Sequence, residues 1–109
     1  MSNWRSQPEI DLRIIQALVD AVGLDAFVGM RSQFVDDLRA LSNAYQEAIA
    51  ASDVEAAKAA AHALKGAASN IGLVQLTQIA AELERDAGDP GEVLNKVVDR
   101  SIARLEVTP

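Results

Sequence analysis

Apolar side chains recur three and four residues apart along most of the chain, which is the spacing of residues on one face of an α-helix. This pattern predicts helices over residues 9–22, 25–50, 52–71 and 73–87, a last helix from residue 90 that frays before the C-terminus, and no β-strand. Short loops between long helices favour antiparallel neighbours. We therefore predict an all-α fold, an antiparallel up-down-up-down four-helix bundle with a short additional N-terminal helix.

Glycine, proline and capping residues set the predicted ends of these helices. Pro8 suits the entry to the first helix and Gly23 its end. Ser52 and Glu55 have the spacing of a capping box at the start of the third helix. The run Gly88–Pro90 is expected to end the fourth helix and to begin the fifth, with an aspartate as N-cap and a proline at the first helical position.

Two regions outside the regular pattern leave alternatives open. Residues 1–8 form a predicted polar tail, although Trp4 within it could fold back onto the bundle. Both phenylalanines follow the apolar seam of the second helix and are predicted core residues. Phe27 and Met30 are the members of that seam that could instead belong to a docking surface.

Composition excludes several classes of protein. A chain of 109 residues is long enough for one domain with a single core, so residues 1–109 are treated as one unit. The absence of cysteine excludes disulfides and thiolate metal sites, and a single histidine excludes a centre with paired histidines, while a carboxylate site stays open. The net charge of −6 argues against a nucleic-acid partner. Neither a membrane-spanning run nor a secretory signal is evident, so a cytoplasmic location is expected.

The third predicted helix, residues 52–71, carries the candidate chemistry. Alanine fills eight of the thirteen positions from Ala56 to Ala68, and His62 lies in the middle of the polar face of the helix. Lys65 and Gly66 follow three and four residues later, within contact distance on a helix. A glycine inside an exposed helix costs about 1 kcal/mol relative to alanine, so Gly66 indicates a positional requirement.

The pattern of these three residues suits a histidine that accepts an anion from another protein. The missing side chain at Gly66 leaves one flank of the imidazole open to an approaching surface. The Lys65 ammonium can neutralise negative charge on the ring. Spacing alone supports phosphoryl transfer only as a hypothesis, since an exposed histidine or lysine is more often incidental.

The run from His62 to Gly72, HALKGAASNIG, resembles the signature of histidine-containing phosphotransfer (HPt) domains, H-x-L-K-G followed by small residues, an apolar residue and glycine. The similarity covers most of the chain, and it includes further positions on both sides of the signature: Phe34, Leu38, Leu41, Leu76, Ala80 and Glu84. The resemblance implies that His62 is the phosphorylated residue.

The resemblance also implies partners and roles. Response-regulator receiver domains and a hybrid sensor kinase would be the partners, and the receiver would supply the carboxylates and Mg²⁺, so that this protein needs no cofactor of its own. Lys65 would offset charge on the phosphoryl oxygens, and Gly66 would give clearance. Ser69 would hydrogen-bond at the edge of the site, and Lys58 and Ala59 complete the predicted receiver-binding residues. A monomeric carrier without ATP-binding or autokinase motifs is expected.

Three alternatives stay open at this point. The chain could be an HPt-shaped binding module that sequesters a receiver without transferring phosphate, although the intact His62, Lys65 and Gly66 argue against this. It could be the dimerisation and phosphoacceptor domain of a sensor kinase, but no glycine-rich nucleotide-binding motifs are present. It could also be the HPt segment of a larger hybrid kinase, although the starting methionine favours a free-standing protein.

Overall fold

A computed structural model of the protein describes residues 4–87 and 91–107. These residues form a short 3-10 helix and five α-helices, and they contain no β-strand. The elements in chain order are the 3-10 helix (Trp4–Ser6), α1 (Leu12–Val22), α2 (Leu24–Ala50), α3 (Val54–Asn70), α4 (Val74–Arg85) and α5 (Glu92–Glu106).

Helices α2 to α5 form a four-helix bundle. Helix α3 packs against α2 on one side and α4 on the other, and α5 closes the bundle by packing against α2 and α4. Helix α1 packs against α2, and the 3-10 helix against α4. The predicted all-α bundle with an additional N-terminal helix is confirmed.

The core consists of aliphatic side chains around a few aromatic ones. Phe27, Leu38 and Tyr45 of α2 are fully buried, so Phe27 belongs to the core and not to a docking surface. Met30 is half-buried. The buried face of α3 is almost entirely alanine, which allows its neighbours to approach closely: Ala57, Ala60, Ala61, Leu64 and Ala68.

The first α-helix is shorter than predicted because Asp11 caps it. The Asp11 carboxylate accepts a hydrogen bond from the Arg13 backbone N–H at 3.0 Å, and the backbone of Asp11 is extended. The Asp11 N–H in turn donates to the Gly72 carbonyl at 2.7 Å, which fixes this residue at the turn between α3 and α4. Residues 9 and 10 therefore precede the helix, and Pro8 does not open it.

Residues 4–7 differ from the predicted polar tail, since they dock on the bundle. The Trp4 side chain is buried, and the Arg5 guanidinium lies 4.3 Å from the centre of its ring. The Gln75 side chain of α4 donates a hydrogen bond to the Gln7 carbonyl at 2.8 Å. Burial of one large aromatic side chain thus overrides the polar composition of the segment.

The predicted capping box of α3 is wrong by one residue. Asp53 is the N-cap, and its carboxylate accepts from the Ala56 N–H at 3.0 Å. Ser52 has a positive φ of 57° and its N–H bonds the Ile49 carbonyl, so it belongs to the turn that ends α2. Helix α3 ends at Asn70, and Gly72 follows with φ of 76°.

The last two helices also differ slightly from the predicted bounds. Helix α4 runs from Val74 to Arg85, and α5 begins at Glu92 after Gly91, whose φ of 106° is left-handed. A left-handed residue cannot belong to the helix, so the predicted start at residue 90 is wrong. The expected roles of Gly88–Pro90 themselves lie outside the described residues. Within the described ranges, no helix is both long and apolar enough to span a membrane.

Candidate functional site

The middle of α3 presents His62 to solvent. The His62 side chain is 68% exposed, whereas Ala61 and Leu64 beside it in sequence are fully buried. This arrangement follows from the helical period, which places residues on opposite faces of the rod. The predicted position of the histidine on the exposed face is therefore the observed one.

Helix α4 contributes a carboxylate that contacts two residues of α3. Glu84 Oε2 lies 2.5 Å from Nδ1 of His62, and Glu84 Oε1 lies 2.5 Å from Nζ of Lys65. The Glu84 and Lys65 side chains are 30% and 35% exposed, so the cluster lies at the surface but is partly shielded from water. One carboxylate thus joins the two residues that the sequence singled out.

The charge on Glu84 determines which nitrogen of His62 is reactive. Hydrogen bonds from Lys65 first, and from His62 second, hold the pKa of the Glu84 carboxyl below its usual range. An ionised carboxylate has no proton to donate, so Nδ1 of a neutral His62 ring must carry the hydrogen that the two groups share. Nε2 then keeps its lone pair and is available as a nucleophile.

Gly66 leaves space beside the histidine. A Cβ atom built at this glycine would meet nothing within 4 Å outside its own helix backbone, so the surface one turn from His62 is open. No packing constraint requires a glycine here. That Gly66 gives clearance to an approaching partner stays a prediction.

The remaining predicted site residues lie on the same side of α3 without joining the cluster. Ser69 and Ala59 are exposed, and Lys58 is half-buried. Among the described residues, no hydrogen bond connects the side chain of Lys58 or Ser69 to His62. Ser69 lines a shallow depression of about 160 Å³ at the end of α3, together with Ile14, Gly72, Val74 and Thr77.

No group of three or more histidine, cysteine, aspartate or glutamate side chains in residues 4–87 and 91–107 is arranged to hold a metal ion. The exposed cluster of His62, Glu84 and Lys65 contains one imidazole, one carboxylate and one ammonium. The ammonium occupies one oxygen of the carboxylate and repels cations. The cluster suits proton and phosphoryl chemistry better than metal binding.

Sequence reasoning did not assign Glu84 a role in the site. A signal for it exists, because α3 and α4 are antiparallel neighbours joined by a tight turn. His62 and Glu84 are equally distant in sequence from Leu73 at that turn, so the two residues must lie at the same level of the bundle. Pairing residues across the turn would have identified Glu84 as a partner of His62.

Comparisons with known proteins found a family model and a solved structure that match this chain. The family model for the Hpt domain matches residues 29–107. The crystal structure of histidine-containing phosphotransfer protein B (HptB) from Pseudomonas aeruginosa PAO1 is similar, with a TM-score of 0.78 and 27% sequence identity over 92% of this chain and 90% of that chain. No curated protein matches the sequence significantly. Because the family model spans most of its length, the chain belongs to the Hpt domain family.

Proposed function

We propose that the protein is a phosphorelay intermediate that accepts a phosphoryl group on Nε2 of His62 from a receiver-domain aspartate and passes it to the aspartate of another receiver. Membership of the Hpt family supports a histidine phosphotransfer role and interaction with receiver domains. The observation that carries the proposal is the contact of Nδ1 of His62 with Glu84, which leaves Nε2 unprotonated on an exposed ring.

The forward step is a displacement at phosphorus. The Nε2 lone pair forms a bond to phosphorus while the bond between phosphorus and the aspartyl oxygen breaks, and the electron pair returns to the aspartate. The ring keeps its Nδ1 hydrogen and becomes a cation. Such transfers depend mainly on positioning and charge neutralisation, and a helix in a packed bundle holds the nucleophile more precisely than a loop would.

Lys65 neutralises charge in this proposal, although its ammonium is already paired with the Glu84 carboxylate. Its ammonium contacts Glu84 at 2.5 Å. A lysine side chain has a flexible four-carbon stem, so the ammonium can rotate from this contact towards phosphoryl oxygens on Nε2. Lys65 therefore serves as a nearby positive charge that binds the carboxylate when the phosphoryl group is absent.

The partner supplies the rest of the chemistry. We propose that the receiver contributes the carboxylates and Mg²⁺, and that a hybrid sensor kinase supplies the phosphoryl group to the relay. The protein itself acts as a monomeric cytoplasmic carrier and not as an ATP-dependent kinase. Gly66, Ser69, Lys58 and Ala59 lie along the face that the receiver approaches.

The test measures whether a phosphorylated receiver transfers its labelled phosphoryl group to the His62→Gln variant of the protein. Glutamine favours helix about as well as histidine, so the variant should keep the fold by circular dichroism. It should acquire no label from ³²P-labelled receiver domains that label the unsubstituted protein. Label persisting on the variant would overturn the assignment of His62.

A receiver-binding measurement on the unsubstituted protein separates transfer from sequestration. A carrier binds the receiver and becomes labelled within the lifetime of the complex. A protein that binds receivers with no label appearing on His62 would instead be a sequestering module.

A further inference from the structure

The shallow depression at the end of α3 lies between α3 and α4, beside the turn that joins these helices. Its volume is about 160 Å³, and its walls come from three elements: Ser69 and Gly72 at the end of α3, Val74 and Thr77 of α4, and Ile14 of α1. A cavity of about 150 Å³ with apolar walls holds one benzene molecule. The depression therefore has room for one aliphatic side chain.

The walls of the depression favour an apolar occupant. The Thr77 hydroxyl donates a hydrogen bond to the Leu73 carbonyl at 2.8 Å, so its hydrogen is already used within α4. The side chains of Ile14 and Val74 are aliphatic and only half-buried, so apolar surface at the depression stays in contact with solvent. Covering that surface with an aliphatic group removes it from water, which is favourable.

The depression lies on the same face of α3 as His62, two helical turns away. Ser69 follows His62 by seven residues, which places it within about 20° of the same direction and about 10 Å farther along the helix axis. Thr77 lies across from Ser69, since both are four residues from Leu73 at the turn. Between the two sites, Gly66 is exposed and has no side chain, so a partner can lie over both.

A receiver docked over His62 is large enough to cover the depression. Transfer brings the phosphorylated aspartate into contact with Nε2, so the interface must include the surface around His62. Specific interfaces cover about 600–800 Å² on each partner, which corresponds to a circular patch with a radius of about 14–16 Å. The depression is about 10 Å from His62 along α3, which is inside a patch of that size.

We propose, on the basis of the phosphotransfer function above, that the depression is an anchor site that accepts one aliphatic side chain from the receiver, such as leucine, isoleucine or methionine. Apolar side chains that fill pockets contribute much of the binding energy of protein interfaces. A receiver with a charged side chain at this point would have to desolvate that charge, so the depression also discriminates among receivers. His62 performs the chemistry, and the depression contributes affinity and specificity.

The variant that tests the anchor site is Val74→Asp. Val74 is the first residue of α4, whose first turn has no acidic residue and whose N-cap makes no side-chain hydrogen bond. A carboxylate is favourable at that end of a helix, so the variant should fold. It also places a charge where the aliphatic side chain would bind. Val54→Asp is the matched control, because it makes the same change at the first residue of α3 and Val54 does not line the depression.

The experiment titrates the protein with an unphosphorylated receiver domain, chosen because its phosphorylated form labels the protein in the transfer assay above. We expect Val74→Asp to weaken receiver binding about tenfold or more and Val54→Asp to leave the dissociation constant unchanged. In transfer assays, the loss in Val74→Asp should appear as a higher KM and not as a lower rate at saturating receiver, because the depression does not contact the reacting atoms.

Methyl NMR of the unsubstituted protein identifies the occupant directly. Addition of the receiver should shift the methyl resonances of Ile14, Val74 and Thr77, which line the depression. It should also give nuclear Overhauser contacts from these methyl groups to one aliphatic side chain of the receiver. A complex in which these three residues show no shift and no such contact overturns the inference.

The outcomes separate this inference from the proposed function. Equal receiver affinity in the unsubstituted protein and Val74→Asp, or equal weakening in Val74→Asp and Val54→Asp, overturns the anchor site while leaving His62 as the acceptor. Failure of phosphorylated receiver domains to label the folded protein overturns the proposed function and this inference together. If Val74→Asp does not fold, the methyl contacts decide, because they are measured on the unsubstituted protein.

Discussion

At the scale of single residues, two glycines of the described ranges lie inside helices without a packing reason. A Cβ atom at Gly66 or at Gly29 would meet nothing within 4 Å, and both positions are exposed. Each glycine costs its helix about 1 kcal/mol relative to alanine. Gly66 lies one turn from His62, and Gly29 is on α2, so only the first has a proposed function to explain it.

This difference gives a matched pair of substitutions. Glutamine at either position should raise the midpoint of thermal unfolding, because it favours helix by about 0.5 kcal/mol over glycine. Gly66→Gln should in addition slow phosphoryl transfer from a receiver about tenfold or more by crowding His62, while Gly29→Gln should leave the rate unchanged. Phosphoryl transfer from a labelled receiver to each variant, quenched at successive times, measures both rates. Equal transfer rates for Gly66→Gln and Gly29→Gln would contradict the access argument for Gly66.

The sequence singled out the proposed nucleophile and its neighbours on α3, but not their shared contact with Glu84. His62, Lys65 and Gly66 could be placed on one face because a helical period relates residues on the same element. Glu84 belongs to another helix, and helical periodicity carries no information about distances between elements. The cap of α3 was missed for a different reason, since Ser52 and Asp53 are both favoured N-cap residues and the turn after α2 decides between them.

At the scale of helices, a buried hydroxyl on α5 has no hydrogen-bond partner among the described residues. Ser101 is 1% exposed, and its Oγ makes no hydrogen bond. Ser42 of α2 is also buried, but its Oγ accepts a hydrogen bond from Gln46 at 3.3 Å. A buried hydroxyl without a partner destabilises a fold, whereas a paired one stabilises it slightly.

Alanine at these two serines should therefore have opposite effects on stability. Ser101→Ala should leave the free energy of unfolding unchanged or raise it by up to about 1 kcal/mol, and Ser42→Ala should lower it by about 1 kcal/mol. Urea denaturation followed by circular dichroism measures both. A clear loss of stability in Ser101→Ala would show that its hydroxyl has a partner.

The helices themselves were well predicted, and their ends less so. Apolar periodicity over many residues determined the five helices and the four-helix bundle, because every helix must bury one face. The ends depend on single contacts that cross between elements. Helix α1 begins at Leu12 because Asp11 is held by the Gly72 carbonyl, and that contact cannot be inferred from residues 8–12 alone.

At the scale of the whole molecule, two carboxylates make stability depend on pH in the acid range. Hydrogen bonds from Lys65 and His62 lower the pKa of Glu84, and those from the side chain and backbone of Arg13 lower the pKa of Asp11. A carboxyl whose pKa is lower in the folded state stabilises the fold above its unfolded pKa and loses that contribution as pH falls through the folded value. Both groups therefore favour the folded state at neutral pH.

We expect the unfolding midpoint to fall as pH is lowered from about 5 to 3, around the ordinary pKa of aspartate and glutamate. The unfolding midpoint of Glu84→Gln should be lower than that of the unsubstituted protein at pH 7, and it should fall less between pH 5 and 3. Glu106→Gln serves as the comparison at an exposed carboxylate on α5. Parallel curves for the unsubstituted protein and Glu84→Gln would contradict the contribution of the cluster to stability.

The turn after α3 links the family signature to a helix outside it. Gly72 ends the run that begins at His62, and its carbonyl holds the start of α1 through the Asp11 N–H. A Cβ at this glycine would come within 3.1 Å of both the Asp11 carbonyl oxygen and Ile14 Cβ. The last position of the signature therefore needs both a left-handed backbone and space for the start of α1. Even an asparagine, which tolerates a left-handed backbone, would require the backbone at Asp11 or the Ile14 side chain to shift by a few tenths of an ångström.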